Sequence, residues 1–284
     1  MSARPWTAGR DHFDSVAGLY DTRRPDFPVE VFADLMTLAG LSSASSVLEV
    51  GAGTGQATVR LAELGASVVA LEPGAALAAL AAERLAGFDK VTVVRSRFED
   101  WDPGDGRFDA VIAATSWHWV DPELRWRKAY DVLAPAGSLV LLGHLVVREP
   151  GAPEVYAETA DLHEAHVSGH PSWGHPPTAA EIIAAAEPNA KSIADVERLI
   201  GRAPDTTSTD SLFEAPVLRW YRQEQHFDAR GYGELMRTTS LYGSLDASVR
   251  EPLLTAMEQR IRERMGNHAV RHYLISVRLA RRCQ

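Results

Sequence analysis

VLEVGAGTGQAT, residues 47–58, runs from a short apolar segment through glycines at 51, 53 and 55 into a helical pattern. The apolar run Ser46–Val50 predicts a strand, and Gln56–Leu64 predicts a helix stopped by Gly65. Glycines between the two permit positive φ and let a ligand approach the backbone closely. Such a turn is a weak signal by itself, because nicotinamide, flavin and nucleotide enzymes use related ones. Its neighbours discriminate. Glu49 lies two residues before the first glycine, where a carboxylate repels a pyrophosphate and attracts an ammonium group. The glycine spacing is G-x-G-x-G rather than G-x-G-x-x-G. Glu72 ends the next predicted strand, 17 residues after Gly55, where an acid can accept both hydroxyls of a ribose.

A ligand with a ribose, a cationic amino-acid end and no phosphate therefore fits better than a dinucleotide. S-adenosylmethionine is such a molecule. Outward from the turn, Val29–Ala39 and Ala75–Ala86 have helical spacing, each followed by a glycine. Strands are predicted at Ser67–Glu72, Val91–Ser96, Phe108–Thr115 and Ser138–His144, with a helix over Pro122–Leu133. Buried runs alternating with helices indicate a doubly wound, mostly parallel α/β sheet. The alternation breaks at Glu149, and residues 149–216 read as a helical cap inserted after strand five. Val217–Phe227 then predicts a long strand, Gly231–Thr239 and Ala247–Met265 two helices, and Val270–Leu279 a hairpin partner strand. The expected organisation is one domain over 1–284. It comprises a leading segment (1–40), a cofactor-binding core (41–148), the cap (149–216) and the last strands and helices (217–284).

The chain has 284 residues, with 38 acidic and 29 basic side chains and a formal net charge of −9. That balance works against binding phosphate backbones, so no nucleic-acid partner is expected. No run of 18 apolar residues predicts a membrane span. MSARPWTAGRDHFD lacks the apolar stretch of a secretory signal, and the expected location is cytoplasmic. One cysteine, Cys283, excludes an internal disulfide framework and a cysteine-ligated zinc site.

These stretches resemble the class I S-adenosylmethionine-dependent methyltransferases, in a bacterial small-molecule branch. The family's first motif is similar to Glu49-Val50-Gly51-Ala52-Gly53-Thr54-Gly55, continuing into Gln56, and its ribose-binding acid to Glu72, followed here by Pro73. Its adenine-contacting segment resembles Ser96-Arg97-Phe98-Glu99-Asp100-Trp101, and its strand-four motif resembles Phe108–Thr115 followed by Ser116-Trp117-His118-Trp119. Val132–Ser138 is similar to the turn into strand five, and Tyr20-Asp21-Thr22-Arg23-Arg24-Pro25-Asp26-Phe27-Pro28 to a leading segment of that branch. The resemblance is close over residues 12–145 and looser to the last strands. It implies a seven-stranded Rossmann-like fold, S-adenosylmethionine as cofactor, and a cofactor site at Tyr20, Arg24, Glu49, Gly51, Ala52, Gly53, Thr54, Gly55, Gln56, Glu72, Pro73, Arg97, Phe98, Glu99, Thr115 and Trp117. One departure is Arg97, where many relatives have an aspartate; arginine accepts no hydrogen bond from an adenine amino group. Adenine recognition is then expected to rest on the backbone of Phe98. The alternative for Arg97 is a solvated loop cation.

Tyr20 and Arg24 are placed by the resemblance over the cofactor's methionine end, where Arg24 can pair with its carboxylate; the alternative for Arg24 is a surface cation. The sulfonium methyl is already activated, so the protein need only hold a nucleophile in line and exclude water. Where that nucleophile carries a proton, a base raises its reactive fraction. His118 follows strand four at the carboxyl edge of the sheet and is the first candidate base; His144, at the end of strand five, is the second. Trp117 and Trp119 can wall the cofactor or an acceptor. The alternative is that His118 and Trp119 only pack the rim.

Four histidines fall within DLHEAHVSGHPSWGH, residues 161–175. Their spacing matches no metal motif, and Gly169 and Pro171 interrupt the helix, so no metal is expected. The segment is expected to wall the acceptor pocket, with His166, His170 and Trp173 as substrate contacts; a solvated loop is the alternative. Arginines near the C-terminal end are interleaved with Glu258 and Glu263, which favours a solvated helix face over a nucleic-acid patch. The expected function is methyl transfer to a small-molecule acceptor, at oxygen, with a homodimer possible. A non-methylating cofactor-binding protein is the alternative, and an RNA or protein methyltransferase is disfavoured.

Overall fold

The computed structural model describes residues 10–169, 175–200 and 209–284. Two short helices, α1 (Arg10–Ser15) and α2 (Ala17–Arg23), precede α3 (Val29–Ala39), which Gly40 closes in the left-handed region at φ +68°. Then follow β1 (Ser46–Val50), α4 (Gln56–Glu63), β2 (Ser67–Leu71), α5 (Ala75–Leu85), β3 (Val91–Val94) and β4 (Phe108–Ala114). A 3-10 turn, Trp117–Trp119, leads to α6 (Arg125–Val132) and β5 (Leu133–Val147). Helices α7 (Val155–Glu158), α8 (Ala160–Val167), α9 (Ala179–Ala186) and α10 (Ile193–Leu199) fall between β5 and β6 (Val217–Phe227). The chain ends with α11 (Ala229–Arg237), α12 (Ser240–Gly243), α13 (Ala247–Arg264) and β7 (Ala269–Arg281).

The seven strands form one sheet in the order β3-β2-β1-β4-β5-β7-β6, parallel except for β7, which runs antiparallel to both of its neighbours. Strand order reverses between β1 and β4, and the crevice at their carboxyl ends is where open α/β sheets bind ligands. Side chains alternate across the sheet because successive residues of a strand face opposite sides. On one face Val47, Val68, Ile112, Val140 and Ile275 meet Phe32, Leu35 and Leu61 of α3 and α4. On the other, Leu48, Val111, Leu139 and Leu141 meet Trp126 and Ala129 of α6 and Ile193 and Ala194 of α10.

The helices between β5 and β6 pack in more than one place. Helix α10 covers the sheet, where the buried pair Glu197–Arg278 ties it to β7. Helix α8 packs on α13, in a separate cluster built from α11 and α13.

The antiparallel end of the sheet is longer than the parallel end. Ala114, the last residue of β4, pairs with Leu142, and β5 continues for five more residues to Val147. That overhang, about 16 Å at ~3.3 Å per residue, pairs only with β7, through His144↔Ile275, Val146↔Tyr273 and Val147↔His272.

Candidate functional site

The glycine turn is built as its sequence demands. Gly51, Gly53 and Gly55 all have positive φ, at +71°, +60° and +82°. A Cβ on Gly51 would stand 2.5 Å from Cβ of Ser116, so the turn can lie against the end of β4 only without one. The amides of Gly51 and Ala52 both donate to the carbonyl of Leu71, at 2.9 Å each, which seats the turn on β2.

Two cavities meet above this turn. The larger, about 430 Å³, is bordered by Gly51, Gly53, Glu72, Pro73, Leu77, Arg97, Phe98, Glu99, His118 and Trp119. The second, about 220 Å³, is bordered by Glu49, Ala52, Thr54, Gln56, His144, Val146, Arg271 and Tyr273. Tyr20, Arg24, Gly51, Ala114, Thr115 and Ser240 line both. Thr115 is a β-branched residue at φ +58°, a conformation such residues rarely adopt, and it stands at the junction.

Glu49 is 1% exposed. Its Oε2 accepts a 2.5 Å hydrogen bond from Thr58 Oγ1, and its Oε1 is buried with no hydrogen-bond partner. Burial pushes its pKa up to about 7, against the lowering effect of Thr58 and with a smaller push from Glu72. A buried carboxylate oxygen without a donor, in a cavity wall, is suited to an ammonium group. Glu72 accepts from the amides of Gly53 (2.8 Å) and Gly74 (2.8 Å), which fix its carboxylate at the lip of β2. Each carboxylate oxygen has a further lone pair for a ribose hydroxyl. The two acids thus fit the two ends of S-adenosylmethionine that the sequence analysis assigned to them.

The leading segment closes both cavities because many polar bonds hold it down. Asp14 Oδ1 caps α5, accepting from the amides of Ala76 (2.7 Å) and Leu77 (3.1 Å). Arg84 bridges Asp21 (2.6 Å) to the carbonyl and hydroxyl of Thr54. Gln56 donates to the carbonyl of Asp21, Arg60 pairs with Asp26 and Arg23 with Glu234. Thr54 and Gln56 therefore fasten this segment to the glycine turn as well as bordering the second cavity. Arg24 donates to the carbonyl of Thr238 at 2.5 Å and lies over the ring of Tyr20, 5.1 Å from its centroid. It is not a surface cation, and burial lowers its pKa.

The expected residues of the strand-four turn, the segment after β3 and strand five fall in different places. Trp117 is 2% exposed and borders neither cavity; its ring packs against Trp126 and Phe98 under the site. The 3-10 turn has about three residues per turn, so Trp117 points inward while His118 and Trp119 face the larger cavity. Phe98 is buried and Arg97 exposed at the rim, while Glu99 uses Oε1 to accept from the amide of Asp121. His144 borders the second cavity, with its ring 4.2 Å from that of Phe27 and its Nε2 3.2 Å from Gln223 Oε1.

His166 borders neither cavity; its Nδ1 bonds to the carbonyl of Leu162 within α8. His163 is buried between the carbonyl of Thr159 and the hydroxyl of Tyr242, at 2.7 Å from each. His170 and Trp173 lie outside the described residues. Phe13, Asp14, Ser116, Ser240, Arg271 and Tyr273 were missed by sequence reasoning. Ser116 lies within the quoted strand-four motif, whereas the others reach the site from elements distant in sequence, and nothing local marks them.

Residues 47–137 match a protein family described as a methyltransferase domain. An uncharacterized methyltransferase of Mycobacterium tuberculosis is 35% identical over 130 residues, covering 46% of this chain and 51% of the relative. Trans-aconitate 2-methyltransferase of the same species is 33% identical over 141 residues, 45% of this chain and 51% of the relative. The chain thus spans about half the length of the curated relatives it matches. Among solved structures, a candidate type II methyltransferase from Anaeromyxobacter dehalogenans has a TM-score of 0.57 at 20% identity, covering 91% of this chain and 97% of that one. Phosphoethanolamine N-methyltransferase 2 of Haemonchus contortus has a TM-score of 0.51 at 12% identity, over 100% of this chain and 61% of that one. At those identities the likeness is one of fold. Residues 47–137 are thus similar to methyltransferase domains across the glycine turn, and the chain shares its sheet with methyltransferase structures.

Proposed function

We propose that the protein transfers the methyl group of S-adenosylmethionine to a small-molecule acceptor, at oxygen, by in-line displacement. The observation that carries this reading is the meeting of the two cavities. Glu72 stands in one and Glu49, with its unpartnered Oε1, in the other. A single elongated ligand with a ribose and an ammonium group can satisfy both acids only by spanning the junction at Gly51 and Thr115.

In this reading Glu72 accepts from the ribose hydroxyls and Glu49 faces the ammonium group. Phe98 and Leu77 flank the adenine, and Arg24 takes the carboxylate. The bound cofactor supplies a methyl group on a positively charged sulfur. Held by these residues, the cofactor would supply that methyl group to an acceptor oxygen and would leave as a neutral thioether. Where the acceptor oxygen carries a proton, a histidine takes it. His144 is better placed for this than His118, because it stands in the wall of the second cavity. The second cavity's size favours a small molecule over a polymer chain.

Calorimetry with S-adenosylhomocysteine and transfer of a labelled methyl group into a metabolite extract test the proposal. Binding and transfer are the expected results. Binding without transfer to any compound overturns the transferase reading and leaves a binding protein.

A further inference from the structure

The second cavity contains more positive charge than the cofactor needs. Arg24 and Arg271 both border it, and they lie near enough that Arg271 opposes protonation of Arg24. Among the described residues, Arg24 bonds to the carbonyl of Thr238 and lies over the rings of Tyr20 and Phe13. Arg271 donates to the hydroxyl of Tyr156 at 3.1 Å and approaches Met236 Sδ at 3.5 Å, with the rings of Tyr156 and Tyr273 beside it. None of these partners is an acid, although the chain has 38. The Nε atoms of both arginines are buried without a hydrogen-bond partner.

A guanidinium has five donors, and a desolvated one without a counter-charge is costly. Two such groups side by side call for two anionic groups in the cavity. The cofactor has one carboxylate, which the reading above gives to Arg24. Glu49, the acid bordering the same cavity, is held by Thr58, and the reading above gives it to the cofactor's ammonium group. Arg271 is on β7 at the overhanging end of the sheet, on the same lining as Val146 and His144.

We infer that the outer part of the second cavity binds an oxyanion of the acceptor, a carboxylate or a phosphate, through the guanidinium of Arg271 steadied by Tyr156. This rests on the methyltransferase reading and narrows its substrate class to small organic anions.

The test divides a metabolite extract by anion exchange before the labelled-methyl assay. Label is expected in compounds from the retained, anionic fraction. Treating that fraction with phosphatase assigns the oxyanion: acceptance lost marks a phosphate, acceptance kept marks a carboxylate. Arg271→Met should raise KM for that fraction at least tenfold, Arg271→Lys should restore part of the loss, and affinity for S-adenosylhomocysteine should be unchanged in both. Label confined to the unretained fraction overturns the inference. So does a tenfold or greater loss of S-adenosylhomocysteine affinity in Arg271→Met with KM unchanged, since both arginines would then serve the cofactor. Label in no fraction, with S-adenosylhomocysteine still bound, overturns the transferase reading and this inference with it.

Discussion

The carboxylate of Glu49, at the end of β1, and the hydroxyl of Thr58, in the first turns of α4, are joined by a 2.5 Å hydrogen bond inside the protein. The bond leaves one carboxylate oxygen for the cavity and partly offsets the burial that pushes the Glu49 pKa up to about 7. Two predictions depend on this pair.

Cofactor affinity should depend on pH through Glu49. The ligand-free group holds its proton below about pH 7, and an ammonium group facing it favours the ionised form. Binding below that pH must release a proton, so affinity should rise as pH increases from 6 towards 8 and then level off. The limit is about tenfold per pH unit. Calorimetry of S-adenosylhomocysteine in buffers of different ionisation enthalpy would count the proton. In Glu49→Gln the affinity should be weaker and the pH dependence absent.

Thr58→Val removes the donor that stabilises the ionised form, so the Glu49 pKa should rise further. At pH 7 the variant should bind S-adenosylhomocysteine more weakly than the parent, and the difference should narrow at pH 8.5. An equal deficit at both pH values would assign the effect to packing.

Gly51→Ala places a methyl group against Ser116 in a backbone conformation that alanine resists. The cost should be about 1–3 kcal/mol of stability, with cofactor affinity reduced at least tenfold. Thermal unfolding and calorimetry separate the two losses. Ser116→Gly in the same chain should recover part of the stability by removing the side chain that the new methyl meets.

His144→Gln should leave S-adenosylhomocysteine affinity unchanged and lower kcat at least tenfold, about 1.4 kcal/mol of barrier. His118→Gln should change kcat less. Unchanged turnover in His144→Gln, with a loss in His118→Gln, would return the role of base to the residue after β4.

Arg278→Met should destabilise the fold by about 3–5 kcal/mol, because it leaves Glu197 buried without its partner. Cofactor affinity of the folded fraction should be unchanged, since neither residue borders a cavity. The double variant Arg278→Met, Glu197→Leu should recover most of the loss.

Much of the cofactor half was legible in the sequence because its signals are local. The three glycines, the acid before them and the acid at the end of the next strand all act within 30 residues of one another, and the structure brings them to one crevice. The lining of the second cavity was not. Arg271 reaches the second cavity from the last strand, and its proposed role depends on its having no acid beside it among the described residues, which no spacing encodes. Trp117 and His118 are adjacent, and only the 3-10 turn decides which of them faces the core. The histidines of 163–175 look like a cluster in the sequence, but α8 packs against α13 and buries His163 against Tyr242. The choice of buried face was made by a helix about 90 residues further on.

The overhang of β5 and β7 beyond β4 makes the depth of the second cavity a stepwise quantity. Lengthening both strands by two residues would extend its wall by about 7 Å and keep the same rows of side chains facing inward. A one-residue step would turn His144, Val146 and their partners to the opposite face and destroy the lining. The Gly51–Glu72 crevice stands on the far side of β4 and would be unaffected by either change. In the proposed reading the acceptor wall can therefore change only in even-numbered steps, while the crevice given to the methyl donor keeps its place.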